Sequence, residues 1–286
     1  SFLFLFLLVQ SFLSQAQEKK EVSFPITHYK LKNGLDVIIS EDYTLPLISV
    51  AVAYNVGSEN EQPGKTGLAC LLENLMFKGS ENVGPMQHIS IINKVGGVLN
   101  ATTSEDKTIF CQTVPSNQLA RVLWLESDRM NSLDMNLSNV ERAKEELAED
   151  LRHQKSSNPY YESSLAFDRL LYPDFAYNHP IIGNEIDLRG LSVEDVKNFY
   201  SSFYRPNNAV LVIVGNIDKR KADGEIRRYF ETIPKGNDIP SPPLPKPLEK
   251  RAVTETFDSF LASSPAFYLG YDVASPSSDD FYPMTI

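Results

Sequence analysis

Hydrophobic and polar residues alternate along the chain in segments that predict short strands and amphipathic helices. Asn33-Gly34 lies between two alternating segments, and this dipeptide is the strongest short-range signal for a β-hairpin. The run Leu47 to Tyr54 is rich in β-branched residues, which predicts a central strand. The remaining predicted elements are strands at 98–102, 108–114 and 209–214 and helices at 68–77, 86–94, 119–130, 139–154, 161–171, 193–203 and 220–230. This order predicts an α+β fold with a mixed or antiparallel β-sheet packed against helices.

The beginning of the chain differs in composition from the rest. Residues 1–9 are almost wholly apolar and lead into Ser14-Gln15-Ala16, a small-x-small pattern. Residues 1–17 are therefore predicted to be a signal peptide whose basic n-region is missing. The predicted location is secreted or periplasmic, and the alternative is an uncleaved leader that anchors the protein to a membrane.

A proline-rich stretch divides the remainder of the chain. Six prolines occur from Pro234 to Pro247, more than a packed helix or strand tolerates. Strand-like alternation resumes at 266–273. The predicted segments are a domain at 22–235, a linker at 236–250 and the truncated start of a second, similar domain at 251–286.

Charge and cysteine content exclude two classes of protein. The net charge is −10 at pH 7 and no block of Lys or Arg is present, so we expect no nucleic-acid partner, because binding to phosphates requires a basic surface. The chain has only two cysteines, Cys70 and Cys111. A fold held together by several disulfides is therefore excluded.

One predicted helix carries a candidate chemical site. Cys70, Glu73 and Asn74 lie within Cys70-Leu71-Leu72-Glu73-Asn74, a spacing that places three polar side chains on neighbouring positions of one helix turn. The segment resembles the H-x-x-E-H turn of the inverzincin peptidases, in which two His bind zinc and the Glu is the general base. The His positions hold Cys70 and Asn74 here, while Glu73 keeps the position of the general base.

Three further blocks follow in the same order as in that group of peptidases. They are Gly96-Gly97-Val98-Leu99-Asn100-Ala101-Thr102-Thr103-Ser104-Glu105-Asp106-Lys107-Thr108, Leu125-Glu126-Ser127-Asp128-Arg129-Met130 and Tyr204-Arg205-Pro206-Asn207-Asn208-Ala209. With the helix motif, they cover about residues 24 to 235. The chain is thereby identified as resembling the family of pitrilysin, insulysin and mitochondrial-processing peptidase, and an insulinase-like half-domain is the fold that this resemblance implies.

The resemblance implies a third zinc ligand, a carboxylate on a later helix. Aligning Asn158-Pro159-Tyr160 with the family pattern places Asp150 at that position, and Glu149 or Glu146 is selected by an alternative register. His153 lies three residues after Asp150 and is a candidate for compensation. For His28, His88 and His179, which share no ligand spacing, we expect surface or capping roles.

Zinc binding is the property that these substitutions affect most directly. Zinc is the cofactor that the family implies, but Cys70, Asn74 and Asp150 supply only two reliable donors because a carboxamide is a weak neutral ligand. We therefore expect zinc to be lost or weakly bound and Glu73 to be a vestigial general base. A structural interpretation of Cys70, as a small buried apolar residue, stays open.

The resemblance also implies that extended peptides bind along an edge strand near Asn100 and Ala101, by β-augmentation. We therefore predict a non-catalytic homologue or subunit of a secreted zinc metallopeptidase, which binds extended peptides, pairs with an active homologue as a heterodimer, or does both. The alternative is an active zinc-dependent metalloendopeptidase with an atypical Cys/Asn/Asp metal site. A third possibility is a fragmentary gene product without a present role.

Overall fold

The computed structural model describes residues 25–239, 253–259, 261–271, 273, 275 and 278–284. The predicted signal peptide at 1–17 and most of the predicted linker at 236–250 lie outside the described residues. Within the described part, none of the helices combines the length and the apolar character needed to span a bilayer.

A six-stranded sheet forms the centre of the domain. Its strands are β1 (Ile26–Lys30), β2 (Asp36–Glu41), β3 (Leu47–Tyr54), β4 (Val98–Thr103), β5 (Thr108–Pro115) and β6 (Ala209–Gly215). Their spatial order is β1-β2-β6-β3-β5-β4. Only β2 and β6 pair in parallel among these strands, and the other four pairings are antiparallel. The predicted mixed sheet and the central position of β3 are therefore confirmed.

The predicted hairpin joins β1 to β2. Gly34 has φ +93°, a backbone conformation that glycine adopts without steric cost. A side chain at this position would also collide with Asn207, which lies 2.7 Å from the place of a Cβ atom. The Asn33 amide donates hydrogen bonds to the carbonyl oxygens of Phe230 (2.7 Å) and Ile233 (3.0 Å). The turn is thus tied to a distant helix end, which fixes its position as well as its shape.

The described residues contain nine α-helices. They are α1 (Leu68–Leu75), α2 (Gln87–Lys94), α3 (Leu119–Asn131), α4 (Leu137–Ser157), α5 (Tyr161–Leu171), α6 (Glu185–Gly190), α7 (Val193–Phe203), α8 (Lys219–Phe230) and α9 (Phe281–Met284). Seven of them match predicted helices to within three residues at each end. The sequence did not predict α6, a helix of six residues whose first turn is capped by the Asn184 side chain.

Side chains on one face of the sheet form the core with the helices. Alternate residues of β3 are fully buried, Val50, Val52 and Tyr54 among them, as the period of two in a half-buried strand requires. Helix α3 packs against β3 and α8, and α1 packs against α4 and β4. The core therefore holds α1 in a fixed relation to both the edge strand β4 and the long helix α4.

The Leu125–Met130 block contains a buried ion pair. Glu126 and Arg129 have side chains only 1% and 3% exposed. The Arg129 guanidinium donates to both Glu126 carboxylate oxygens, at 2.5 and 3.1 Å, and lies over the Phe110 ring at 4.2 Å from its centroid. The Gln112 amide donates to the same carboxylate at 2.5 Å. Removing either charge would leave the other buried without its partner, so the two residues depend on each other.

His88 belongs to this buried network, and the expectation of a surface or capping role was wrong for it. Its Nε2 atom lies 3.2 Å from the Gln112 amide oxygen, and the residue is 4% exposed. Burial and the nearby Arg129 charge lower the pKa of His88 to about 3. The absence of a ligand spacing gave no information about burial, because the polar partner of His88, Gln112, lies 24 residues further along the chain. His28, in contrast, lies at the surface beside Asp36.

The strand-like alternation at 266–273 does not correspond to a strand in the described residues of that range. This part of the chain lies near α5: the hydroxyl of Tyr160, just before the helix, donates to the carbonyl of Ser264 at 2.8 Å, and the rings of Phe167 and Tyr268 lie 5.3 Å apart. Alternation predicts an extended chain, but a strand also requires a hydrogen-bonded neighbour.

Acid should destabilise the protein through His88. Because of the lowered pKa, His88 takes up a proton below about pH 6.5 in the unfolded chain but stays neutral in the folded chain. The contribution of neutral His88 to the free energy of unfolding is therefore fully present above pH 6.5 and is lost as the pH falls toward 3. We expect His88→Gln, which has no such group, to lose about 2 kcal/mol less unfolding free energy than the native chain between pH 7 and pH 5. Urea unfolding at both pH values measures this.

The matched control is Ser90→Ala, an exposed position on the same helix without a titratable group, which should lose as much stability as the native chain over the same interval. Equal pH dependence of the native chain and His88→Gln would contradict the buried neutral state of His88.

Candidate functional site

Helix α1 begins at a buried carboxylate. Glu61 accepts hydrogen bonds from the backbone N–H groups of Gly67 (2.8 Å) and Ala69 (2.9 Å), and its side chain is fully buried. The first N–H groups of a helix have no partner within the helix and carry partial positive charge. Glu61 therefore acts as a remote cap, which fixes the start of the helix that carries Cys70, Glu73 and Asn74.

His179 completes this cap. Its Nε2 atom lies 3.1 Å from a Glu61 carboxylate oxygen, and its ring stacks on Phe175 with centroids 4.3 Å apart. Burial alone would lower the pKa of His179, but the hydrogen bond to Glu61 raises it overall. A surface role is thus wrong for this residue, whose side chain is buried, whereas a capping role fits it, because it supports the Glu61 cap of α1. Because 118 residues separate His179 from Glu61, no local spacing signals this contact.

The Cys70 thiol lies in a poor environment for a thiolate. Burial raises its pKa to about 12, and the negative charges of Glu73, Glu61 and Asp150 act in the same direction. A thiol with this pKa is protonated at neutral pH, whereas the thiolate is the form that binds metal or attacks a substrate. Cys70 and Cys111 are both free. Without a cation beside it, Cys70 therefore behaves as a small apolar residue that packs against the core.

The Glu73 carboxylate is engaged by the edge strand. The hydroxyl group of Thr103, the last residue of β4, donates a hydrogen bond to Glu73 Oε2 at 2.5 Å. Burial raises the pKa of Glu73, while the hydrogen bonds from Thr103 oppose this rise. Thr103 belongs to one of the motif blocks, but its contact with Glu73 was not predicted from the sequence. The residue at the general-base position thus has a bonding partner within the protein.

Asp150, the third candidate ligand, lies on a helix next to the one that carries Cys70 and Asn74, but its side chain does not join theirs in a common site. Asp150 lies on α4, which packs against α1, and its charge reaches Cys70, but its side chain is exposed. The alternative candidates form ion pairs elsewhere: Glu146 with Lys78 and Glu149 with Arg152. His153 is exposed as well, so its position gives no support to compensation.

These residues do not fit a catalytic zinc ion. Such an ion takes three protein ligands, normally His and carboxylate, with water in the fourth position. The three positions here offer the thiol of Cys70, the half-buried carboxamide of Asn74 and the exposed carboxylate of Asp150, and a carboxamide is a weak neutral ligand. Within the described parts of the chain, no group of three His, Cys, Asp or Glu side chains is placed so that it could hold a metal.

The predicted peptide-binding residues lie on an open edge of the sheet. In the described residues β4 pairs with β5 alone, so one side of the strand has backbone groups available for an additional strand. Asn100 is exposed and Ala101 is half-buried, in the middle of β4. The structure therefore places both predicted residues at the sheet edge nearest to α1, and Thr103 links this edge to Glu73.

Two solved structures of similar fold are described as bacterial proteases. A protease from Helicobacter pylori superposes with a TM-score of 0.73 at 29% identity, covering 77% of this chain and 53% of that chain. The periplasmic protease PqqL from Escherichia coli has a TM-score of 0.69 at 22% identity, covering 76% of this chain and 25% of that chain. The second likeness shows the fold alone.

Two curated relatives are also named as peptidases or as peptidase subunits. The chain is 31% identical over 227 residues to the zinc protease PqqE of Helicobacter pylori, covering 78% of this chain and 51% of the relative. It is 25% identical over 224 residues to the mitochondrial-processing peptidase subunit beta of Saccharomyces cerevisiae, covering 76% and 48%. The chain thus spans about half the length of these two relatives.

Sequence models of one peptidase family match most of the chain. The model described as Insulinase (Peptidase family M16) matches residues 36–179, and the model described as Peptidase M16 inactive domain matches residues 190–286. The first match contains α1, β4 and α4, the elements that carry every candidate site residue. The chain therefore belongs to the insulinase family of peptidases, family M16.

Proposed function

We propose that this chain is a non-catalytic member of the insulinase family, a pseudoenzyme that binds extended peptides. One observation carries the proposal: the three positions at which the family binds zinc hold Cys70, Asn74 and Asp150, while the edge strand beside them is intact. Hydrolysis in such a site needs a metal to lower the pKa of a bound water. Peptide binding along a sheet edge needs only the backbone of β4.

The geometry of β4 supports the binding role. An extended peptide that adds to a sheet edge gains main-chain hydrogen bonds, and pockets for alternate side chains provide selectivity. The residues of β4 alternate between exposed and half-buried, so an added strand would contact the exposed side chain of Asn100 and the backbone around Ala101. Neither contact involves the substituted zinc positions.

A partner follows from the same proposal. One relative is named as a subunit of mitochondrial-processing peptidase, and a non-catalytic chain can serve an active homologue by presenting peptides to it. We propose such pairing as a second role of this chain. We also propose a secreted or periplasmic location, which the predicted signal peptide supports, as does the printed description of one structural neighbour as periplasmic.

The second candidate function is an active zinc-dependent metalloendopeptidase with an atypical Cys/Asn/Asp site. The retained Glu73 favours it, because the chemistry would need a general base at that position. The Asp150 charge, which reaches Cys70, also favours it. A carboxylate near a thiol attracts a cation, and a bound cation would lower the pKa of the thiol.

Zinc stoichiometry distinguishes the two candidates. After dialysis against buffer with trace zinc, we expect the native chain to hold well under one zinc per chain. The double variant Cys70→His, Asn74→His should hold about one, because it restores two imidazoles. Elemental analysis of the purified proteins measures both values.

Cys70→Ala, Asn74→Ala is the matched control, since it changes the same two positions without adding a ligand, and it should hold no more zinc than the native chain. One zinc per native chain, together with chelator-sensitive cleavage of unstructured peptides, would establish the second candidate and end the first.

Strand addition can be tested with the backbone of the peptide itself. In an extended peptide, alternate residues direct their N–H groups to opposite sides. For a fluorescein-labelled, unstructured decapeptide that binds the chain, N-methylation of either the odd-numbered or the even-numbered residues should weaken binding about tenfold or more, whichever set faces the sheet. Those methyl groups would replace the N–H groups that face β4. The same number of methyl groups on the intervening residues is the control and should have a smaller effect. Fluorescence anisotropy gives the affinities of both methylated peptides, and equal weakening by the two sets of methyl groups would argue against an added strand.

A further inference from the structure

The hydrogen bond between Thr103 and Glu73 joins two parts of the site that are 30 residues apart in the chain. Glu73 lies on α1, and Thr103 is the last residue of the edge strand β4. The bond is 2.5 Å long and runs from a hydroxyl group to a carboxylate that is only partly accessible to solvent. Hydrogen bonds to an ionised acceptor are roughly twice as strong as neutral ones.

Further contacts hold the turn that follows Thr103. The backbone N–H groups of Ser58 and Glu59 donate to the carbonyl oxygens of Ser104 (3.2 Å) and Glu105 (2.9 Å). The Tyr177 hydroxyl donates to Asp106 at 2.5 Å. These bonds restrain the turn, whereas within the described residues the hydroxyl and backbone N–H groups of Thr103 connect the strand itself to Glu73 on α1 by hydrogen bonds.

The other end of β4 is held by contacts other than those to α1. The Gly97 N–H donates to the carbonyl oxygen of Ile92 at 3.0 Å, and all six residues of β4 pair with β5, from Val98 with Thr113 to Thr103 with Thr108. In the described residues no strand pairs with the outer edge of β4, and Val98 is 67% exposed. Thr103 is therefore the point at which hydrogen bonds restrain the strand from α1, two residues after Ala101.

We propose that Glu73 is a positioning residue in this chain: its carboxylate accepts the Thr103 hydroxyl hydrogen bond and thereby fixes β4 in the conformation that receives an extended peptide. This inference rests on the proposed function, peptide addition to β4. It gives Glu73 a role that requires a hydrogen-bond acceptor and neither a metal nor a base. An acceptor at position 73 remains useful in a chain that has different residues at the family's His positions.

The test uses four variants of the whole chain. Thr103→Val removes the hydroxyl group at nearly constant volume, and Thr103→Ser keeps it. Glu73→Ala removes the acceptor, and Glu73→Gln keeps an acceptor oxygen while abolishing any general base. The measurements are amide hydrogen exchange of residues 98–103 without peptide and anisotropy of the fluorescein-labelled decapeptide described above.

We expect Thr103→Val and Glu73→Ala to speed exchange in β4 and to weaken peptide binding about tenfold, as the loss of a charge-assisted hydrogen bond predicts. Thr103→Ser and Glu73→Gln should stay within about threefold of the native chain. The matched control is Thr113→Val, which removes a hydroxyl hydrogen bond to Ser49 on the same sheet and should leave exchange at Thr102 and Thr103 unchanged.

The outcomes separate this inference from the proposed function. Unchanged exchange of β4 in Thr103→Val would overturn the positioning role, whatever the native chain binds. Faster exchange in Thr103→Val, combined with no decapeptide binding by the native chain, would support the positioning role and overturn the peptide-binding function. A loss of binding in Glu73→Gln as large as in Glu73→Ala would also overturn the positioning role, since the glutamine still accepts the bond.

Discussion

The buried carboxylate of Glu61 is the interaction on which the region around α1 depends. It accepts two N–H groups from the start of the helix and pairs with His179, so one side chain joins the loop before α1, the helix itself and the loop after α5. A buried carboxylate is costly unless its oxygens are occupied. With these three partners, the position of α1 is set by groups that take no part in metal binding.

This separation supports the proposal that the metal-binding positions differ here while their surroundings persist. Cys70 packs against the core, and Glu73 accepts a hydrogen bond from Thr103. The Arg129 guanidinium, paired with Glu126, lies over the ring of Phe77 just after α1, at 5.4 Å from its centroid. None of these interactions needs a metal ion for its geometry. The fold therefore constrains the residues at 70 and 74 weakly, and the chemistry of the site constrains them strongly.

Sequence patterns predicted the elements better than the contacts between them. The Asn33-Gly34 hairpin and the central strand β3 follow from local rules, because turn chemistry and β-branched residues act over a few positions. The partners of His88 and His179 come from distant parts of the chain, and a histidine on an amphipathic helix gives no sign of a buried polar acceptor. The Thr103–Glu73 bond also needed the tertiary structure, although a recognised motif contains each residue.

The place of β6 in the sheet has a consequence for how the domain is assembled. Strand β6 lies between β2 and β3, and Asp36 pairs with Val210. The first hairpin therefore cannot join the rest of the sheet until the ribosome has synthesised residues beyond 200. Until then β2 and β3 each present an apolar, unpaired edge, and such long-range closure is slow. A nascent chain of this kind cannot complete its sheet before β6 emerges, and until then the unpaired edges of β2 and β3 are the parts most exposed to aggregation.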